Sequence, residues 1–158
     1  MTEPSSQAAL LPTLVLDTNT VLALWLFEDP ALARLRASVE GGVLQPLCVD
    51  ATLEELRRVL AYPRFQLSPD RQRQIADDYW GRCRGIDIVD STAETLPTCR
   101  DPDDQKFLEL AAAAGALLLI SRDKALLRLA RHRLVRGRLC ILRPEAVEQA
   151  LDRQGPIG

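Results

Sequence analysis

Short apolar segments alternate with helix-like segments along this chain, and the alternation constrains the fold more than any other feature. The apolar segments are rich in Leu, Val and Ile, and amphipathic stretches separate them. Strands that are apolar throughout, without an Asn-Gly hairpin turn, are typical of a parallel sheet covered by helices on both faces. The sequence therefore predicts an α/β protein with strands at residues 13–16, 43–49, 86–89, 116–121 and 139–142.

Helices are predicted between these strands from caps, apolar spacing and helix breakers. Ser68-Pro69 is the clearest start, because Ser is a good N-cap and Pro is favoured at the first helical position. Asp50 or Thr52 is expected to cap an earlier helix that Pro63 ends. The other predicted helices cover residues 20–27, 31–39, 101–114, 124–132 and 144–151, and the one after Ser68 is expected to reach about Cys83.

The length and composition favour one globular domain. The chain has 158 residues and 47% apolar residues, enough for one buried core. We expect the domain at residues 13–152, with loose tails at residues 1–12 and 153–158. No apolar run reaches the roughly 20 residues of a transmembrane helix, and no secretory signal is evident. The four cysteines form no C-x-x-C pair, so a reducing cytoplasm without structural disulfides is expected, with buried thiols at Cys48 and Cys140 in their strand-like segments.

Acidic residues provide the main candidates for chemistry. Asp17 and Asp123 follow the first and fourth predicted strands, and Glu55, Asp101 and Asp104 lie near the starts of predicted helices. In a parallel α/β sheet these positions meet at one edge, where ligands bind. Carboxylates gathered without a nearby histidine predict a site for a hard divalent cation, Mg²⁺ or Mn²⁺.

Each acidic residue also has a purely structural interpretation. Asp17, Asp101 and Asp123 could act only as helix N-caps, and Thr52-x-x-Glu55 matches a capping box. The nucleotide-binding glycine loops and the G-x-S-x-G nucleophile motif are absent from the sequence. The single histidine, His132, lies between two arginines, which favours a solvated surface position over a catalytic one.

A basic segment follows the last candidate acid. Between Arg122 and Arg143 the chain has eight Lys or Arg residues and one acid, although its overall net charge is −2. Such a segment beside an acidic site would suit a polyanion held by its phosphates, although a solvated helix face has the same composition. The predicted RNA-binding residues, which we call the basic arm, are Arg128, Arg131, Arg133, Arg136 and Arg138.

Four segments, in order, resemble the PIN-domain family of metal-dependent ribonucleases, which includes toxins of bacterial toxin–antitoxin pairs. The similarity spans about residues 13 to 145 and is strongest to the toxin branch, in which an Asp-Pro-Asp-Asp run precedes the third acid. The segments are LVLDTN at 14–19, LEELRRVL at 53–60, RDPDDQKFL at 100–108 and LISRD at 119–123.

The resemblance implies a three-layer α/β/α sandwich with a mainly parallel sheet, often dimeric. It places the family's four catalytic, metal-binding acids on Asp17, Glu55, Asp104 and Asp123. Thr18, Asn19 and Ser121 match polar positions that orient metal or water, and Asp101 is expected to support the site mainly as a helix cap.

The function implied is hydrolysis of RNA phosphodiester bonds with Mg²⁺ or Mn²⁺, as the toxin of a toxin–antitoxin pair. The implied partners are RNA, a possible cognate antitoxin protein and a second copy of the chain. Two alternatives remain open. One is a carboxylate–Mg²⁺ phosphatase or other phosphoryl-transfer enzyme, although the chain lacks a second Asp two residues after Asp17. The other is a non-catalytic RNA-binding PIN module.

Overall fold

The computed structural model describes residues 11–87 and 96–154, and within them five short strands form one parallel sheet. The strand order β3-β2-β1-β4-β5 places β1 at the centre. All four pairings are parallel, as the apolar, turn-free strand pattern predicts. The strands are β1 Thr13–Leu16, β2 Gln45–Cys48, β3 Arg84–Gly85, β4 Leu118–Ile120 and β5 Cys140–Leu142.

Seven α-helices in these same residues connect and cover the strands. Ser68 caps α4 as predicted, since its side chain accepts a hydrogen bond from the amide of Arg71. Gly115 ends α5 in the left-handed conformation (φ 64°), which glycine adopts without steric cost. The helices are α1 Thr18–Trp25, α2 Ala33–Glu40, α3 Asp50–Leu60, α4 Pro69–Trp80, α5 Gln105–Ala114, α6 Lys124–Leu127 and α7 Pro144–Arg153.

The sheet separates two hydrophobic cores, which makes the architecture a three-layer α/β/α sandwich. Side chains alternate along a strand, so Leu14 and Leu16 of β1 join one core whereas Val15 joins the other. The first core contains buried residues of α1, α2, α3, α4 and α7, and the second contains those of α5 and α6. The predicted fold class is confirmed.

Several predicted boundaries differ from the structure. The third strand was predicted at residues 86–89, but it is a two-residue segment at the sheet edge, Arg84–Gly85. Residues 88 and 89 lie outside the described ranges. The predicted helix at 124–132 ends as α-helix at Leu127 and continues as a 3₁₀ helix, Arg128–Arg131. The chain likewise enters α5 through a 3₁₀ turn, Pro102–Asp104.

The predicted tails are only partly described. Residues 1–10 and 155–158 lie outside the described ranges, and α7 extends to Arg153, the first residue of the predicted C-terminal tail. Within residues 11–87 and 96–154, every helix is too short or too polar to cross a bilayer.

Candidate metal centre

The register between β1 and β4 brings the first predicted acid to the sheet edge. Leu16 pairs with Ile120 in parallel register, so the next residues, Asp17 and Ser121, are neighbours. The Ser121 hydroxyl donates to Asp17 Oδ2 at 2.5 Å. The side chain of Asp17 is 4% exposed, because it lies where the central strands of the sheet end.

Asp17 also caps α1, which confirms its structural interpretation, and its carboxylate lines the cleft as well. Its Oδ1 atom accepts hydrogen bonds from the Thr20 amide at 2.9 Å and the Thr20 hydroxyl at 2.5 Å. Burial raises the pKa of Asp17, the hydrogen bonds from Ser121 and Thr20 oppose the rise, and the charge of Asp123 adds to it. Ser121 and Thr20 thus hold this carboxylate in one orientation.

Three aspartates form a compact group beside Asp17. One carboxylate oxygen from each of Asp101, Asp104 and Asp123 lies within 4.8 Å of the other two. Asp123 caps α6 through a 2.7 Å bond from the Ala125 amide, and Asp101 accepts a 3.0 Å bond from the Asp103 amide. We call Asp101, Asp104 and Asp123 the aspartate triad, a term that describes only their proximity.

Asp104 is the member of the triad that most needs a positive partner. It is 9% exposed, and its Oδ2 atom is buried without a hydrogen-bond partner among the described residues. Its pKa rises to about 7 because of burial, then a hydrogen bond with Asp123, and then the charges of Asp123, Asp101 and Asp17. A buried carboxylate with an unpaired oxygen and acidic neighbours fits a site for a divalent cation.

Glu55 faces the same cleft but is already paired. It is 8% exposed on α3, whereas Glu54 is exposed, which agrees with the predicted choice between them. Lys106 Nζ lies 2.5 Å from Glu55 Oε1, and the Thr18 hydroxyl donates to Glu55 Oε2. Arg58 Nη2 lies 3.9 Å from Glu55 Oε1.

The capping-box interpretation of Glu55 is wrong. Helix α3 begins at Asp50 with Val49 as its N-cap, and the Thr52 hydroxyl bonds to the backbone of Val49. Glu55 is therefore a full turn inside the helix, where its side chain contacts Lys106 rather than a backbone amide. Neither Asp50 nor Thr52 is the capping residue that the sequence suggested.

A polar cleft of about 210 Å³ brings the predicted acids together. Asp17, Glu55, Asp104 and Asp123 all line it, as do the supporting residues Thr18, Asn19 and Asp101. Ser121 touches the cleft through its bond to Asp17. The other lining residues, which are not among the predicted site residues, are Arg58, Val59, Tyr62, Arg64, Asp103 and Phe107.

Some missed residues had a signal in the sequence. Thr20 follows Asp17 at the three-residue spacing of an N-cap bond, and Arg58 follows Glu55 at the spacing of a helical ion pair. Lys106 had no such signal, because its contact with Glu55 joins α5 to α3, 51 positions apart in the chain.

The basic arm does not line this cleft. Its five arginines are exposed and follow α6, and the 3₁₀ geometry places Arg128 and Arg131 on the same face. Among the described lining residues, the cationic side chains are instead Arg58 and Arg64. The two basic regions are therefore distinct, and of these two only the one with Arg58 and Arg64 lines the cleft.

Comparison with known proteins decides the family. The sequence profile described as PIN domain matches residues 13–125. The chain belongs to the PIN-domain family. The match confirms the predicted family, and it includes Asp17, Glu55, the aspartate triad and the cleft residues Tyr62 and Arg64.

Solved structures support the same fold. The crystal structure of PAE2754 from Pyrobaculum aerophilum superposes on this PIN domain with a TM-score of 0.60 at 15% identity, over 92% of this chain and 99% of that one. VapBC2 from Rickettsia felis, crystallised bound to a DNA fragment from its promoter, gives a TM-score of 0.54 at 15% identity over 82% and 96%. Among curated proteins, none matches this chain.

Proposed function

We propose that this PIN domain is a metal-dependent endoribonuclease that hydrolyses RNA phosphodiester bonds. The observation that carries the proposal is the buried, unpartnered Oδ2 of Asp104 within a group of oxygen donors. Oxygen donors of this kind are the preferred ligands of hard divalent cations such as Mg²⁺ or Mn²⁺. The single histidine, His132, lies between two residues of the basic arm and is not among the residues that line the cleft, so the proposal gives the chemistry to an ion held by carboxylates.

The aspartate triad and Asp17 would hold one or more divalent ions. A bound ion supplies a nucleophile by lowering the pKa of a water molecule, and it offsets negative charge on the phosphate. Ser121 and Thr20 fix the Asp17 carboxylate by their hydrogen bonds, and the Ala125 amide fixes Asp123. Residues on separate elements are thereby held in one geometry before substrate binds.

Glu55 has a different role in this proposal. Its ion pair with Lys106 places a cation beside this carboxylate, and Lys106 also donates to the Asp103 carbonyl at 2.6 Å. Lys106 therefore positions Glu55 and lowers the negative charge that an incoming phosphate meets. The Thr18 hydroxyl also donates to Glu55, and Asn19 lines the same cleft.

The cationic groups would divide the work of holding RNA. Arg58 and Arg64 border the cleft, so they would contact phosphates next to the cleaved bond, and the basic arm would bind flanking phosphates. Phosphate contacts of this kind give affinity without sequence preference and weaken with salt.

A toxin role with a cognate antitoxin is the best-supported biological setting. The resemblance to the toxin branch motivates it, and the similar VapBC2 protein was crystallised on promoter DNA. A homodimer in the cytoplasm belongs to the same proposal.

The test compares the wild-type protein with Asp17→Asn on RNA and on a small phosphate monoester. We expect Mn²⁺-dependent cleavage of RNA by the wild type, no hydrolysis of the ester, and loss of RNA cleavage in Asp17→Asn. Asn also caps helices, so circular dichroism should show the fold retained. Hydrolysis of the ester alone would support the phosphatase alternative, and metal-independent RNA binding without cleavage would support the binding module.

A further inference from the structure

An exposed patch of aromatic side chains borders the acidic cleft. Tyr62 is 40% exposed and Phe27 61% exposed, although aromatic rings of this size usually gain free energy from burial. Phe27 and Phe65 lie edge to face with centroids 5.9 Å apart. We call Phe27, Tyr62, Arg64 and Phe65 the aromatic rim.

A tight turn holds the rim in place. Pro63–Phe65 forms a 3₁₀ turn directly after α3, with bonds from the Phe65 amide to the Tyr62 carbonyl at 3.1 Å and from the Gln66 amide to the Pro63 carbonyl at 3.0 Å. Because α3 also carries Glu55, a single helix links Tyr62, Arg64 and Phe65 to one of the carboxylates that line the cleft. The rim is therefore preorganised relative to the cleft.

A guanidinium group lies among the rings. Arg64 Cζ is 5.5 Å from the centroid of Tyr62 and 4.9 Å from that of Phe65. Both Tyr62 and Arg64 line the cleft together with the four predicted acids. The rim is thus continuous with the candidate active site rather than a separate surface.

We propose that the aromatic rim binds unpaired nucleotides of single-stranded RNA, with Tyr62 stacking on a base and Arg64 contacting the adjacent phosphate. This proposal rests on the ribonuclease function above and adds a substrate class to it. Proteins that recognise single-stranded RNA stack its free bases on aromatic rings and on arginine guanidinium planes, whereas a duplex keeps its bases stacked inside the helix. The acidic cleft repels a polyanion, and the positive charge of Arg64 at the rim offsets this repulsion where the RNA strand enters.

The chemistry of the rim favours RNA over a protein partner. Tyr and Arg are also frequent at protein interfaces, but here the Arg64 guanidinium lies within 5.5 Å of two ring centroids, and Arg64 and Tyr62 line a cleft of carboxylates. This combination matches the two faces of a nucleotide, a flat base and a charged phosphate.

Binding is tested in the full chain carrying Asp104→Asn, so that RNA is not consumed. A fluorescent single-stranded oligoribonucleotide is titrated with that protein and with the same protein carrying Tyr62→Ala or Tyr62→Phe. We expect Tyr62→Ala to raise the Kd at least about five-fold, the lower range for loss of one stacked base, and Tyr62→Phe to change it less than about two-fold. Tyr62→Ala should leave the affinity for an abasic ribose-phosphate oligomer unchanged.

Two further measurements separate the parts of the proposal. Arg64→Gln should lower the slope of log Kd against log salt concentration by the amount that corresponds to the loss of about one phosphate contact. In the otherwise wild-type enzyme, Tyr62→Ala should raise KM for single-stranded RNA more than it lowers kcat. Thermal melting of each variant shows whether it remains folded.

The results that overturn the proposal are distinct from those that overturn the ribonuclease function. If wild-type protein cleaves RNA with metal and Tyr62→Ala matches it in Kd and KM, the rim is not a nucleotide site and the cleavage function stands. Equal loss of affinity for normal and abasic oligomers would also exclude stacking. If the wild type neither binds nor cleaves RNA, both proposals fail.

Discussion

Two buried carboxylates that line the acidic cleft, Asp104 and Glu55, are in opposite electrostatic states, and we call the sides around them the unpaired wall and the paired wall. On the unpaired wall, Asp104 has a buried oxygen with no hydrogen-bond partner among the described residues, and its pKa is raised to about 7. On the other wall, Glu55 is equally buried but is paired with Lys106 and Thr18. Burial alone therefore does not define a metal site. What distinguishes the two carboxylates is whether their neighbours are cations or other acids.

This difference indicates which carboxylate would bind a cation with the more favourable free energy. Ionising Asp104 places several negative charges close together, so a divalent ion there relieves both desolvation and repulsion. Glu55 already has a cation at 2.5 Å, so a metal would first have to displace Lys106. We therefore expect the aspartate triad, rather than Glu55, to dominate metal affinity.

The largest expected effect is the loss of metal binding in Asp104→Asn. Removal of outer-shell partners costs about 10–100-fold in metal affinity, and loss of a direct ligand should exceed that range. Isothermal titration calorimetry with Mn²⁺ measures the change, with Glu54→Gln, an exposed acid on α3 that does not line the cleft, as the matched control. If Asp104→Asn binds Mn²⁺ as tightly as the wild type, the inferred difference between the two walls is wrong.

The second effect is a pH dependence of stability in the metal-free protein. The pKa of Asp104 is raised from 3.8 to about 7 on folding, so ionisation disfavours the folded state. The melting temperature should fall as pH rises from about 4 to about 7, and the raised pKa of Asp17 acts in the same direction.

Differential scanning fluorimetry in EDTA measures this dependence. Asp104→Asn has no ionisable group at that position, so its melting temperature should change less across the same pH range. Mn²⁺ should reduce the dependence in the wild type. An identical pH profile in both proteins would show that Asp104 is not the group responsible.

The third effect concerns the paired wall. Lys106→Met leaves the largely buried Glu55 carboxylate without its closest cation, which should lower the free energy of unfolding by about 1–3 kcal/mol. Mn²⁺ should then restore stability more in this variant than in the wild type, because Glu55 becomes available to a metal. Urea denaturation with and without Mn²⁺ measures both quantities.

Lys124→Met, which removes an exposed lysine on α6, is the control for that experiment. If Lys106→Met is no less stable than Lys124→Met, the ion pair with Glu55 does not contribute, and the two walls are more alike than the geometry indicates.

The smallest effect is expected from Asp101→Ala. Asp101 caps the 3₁₀ turn before α5 and, unlike Asp104, is only partly buried, so its loss should cost about 1 kcal/mol of stability. Metal affinity should fall less than in Asp104→Asn. Chemical denaturation and Mn²⁺ titration of the two variants side by side would show whether capping or metal binding dominates at Asp101.

Much of the fold was predictable because its signals are local. The strands β1, β4 and β5 and the start of α4 follow from apolar runs and a Ser-Pro cap, and the structure confirms them within about three residues. The edge strand β3 was misplaced, because two exposed residues, Arg84 and Gly85, carry no strand pattern. The helix after Asp123 was overextended, because periodicity does not distinguish a 3₁₀ turn from an α-helix.

By itself, the sequence determined which acids reach the sheet edge and the family to which they belong. Asp17 and Asp123 end up there because a parallel strand delivers the residue that follows it to one side of the sheet. Only the tertiary structure decided their partners: Lys106 pairs with Glu55, Asp101 joins Asp104 and Asp123, and Tyr62 reaches the cleft. These contacts join elements far apart in the chain, and their charge balance depends on distances of a few ångströms that no local pattern encodes.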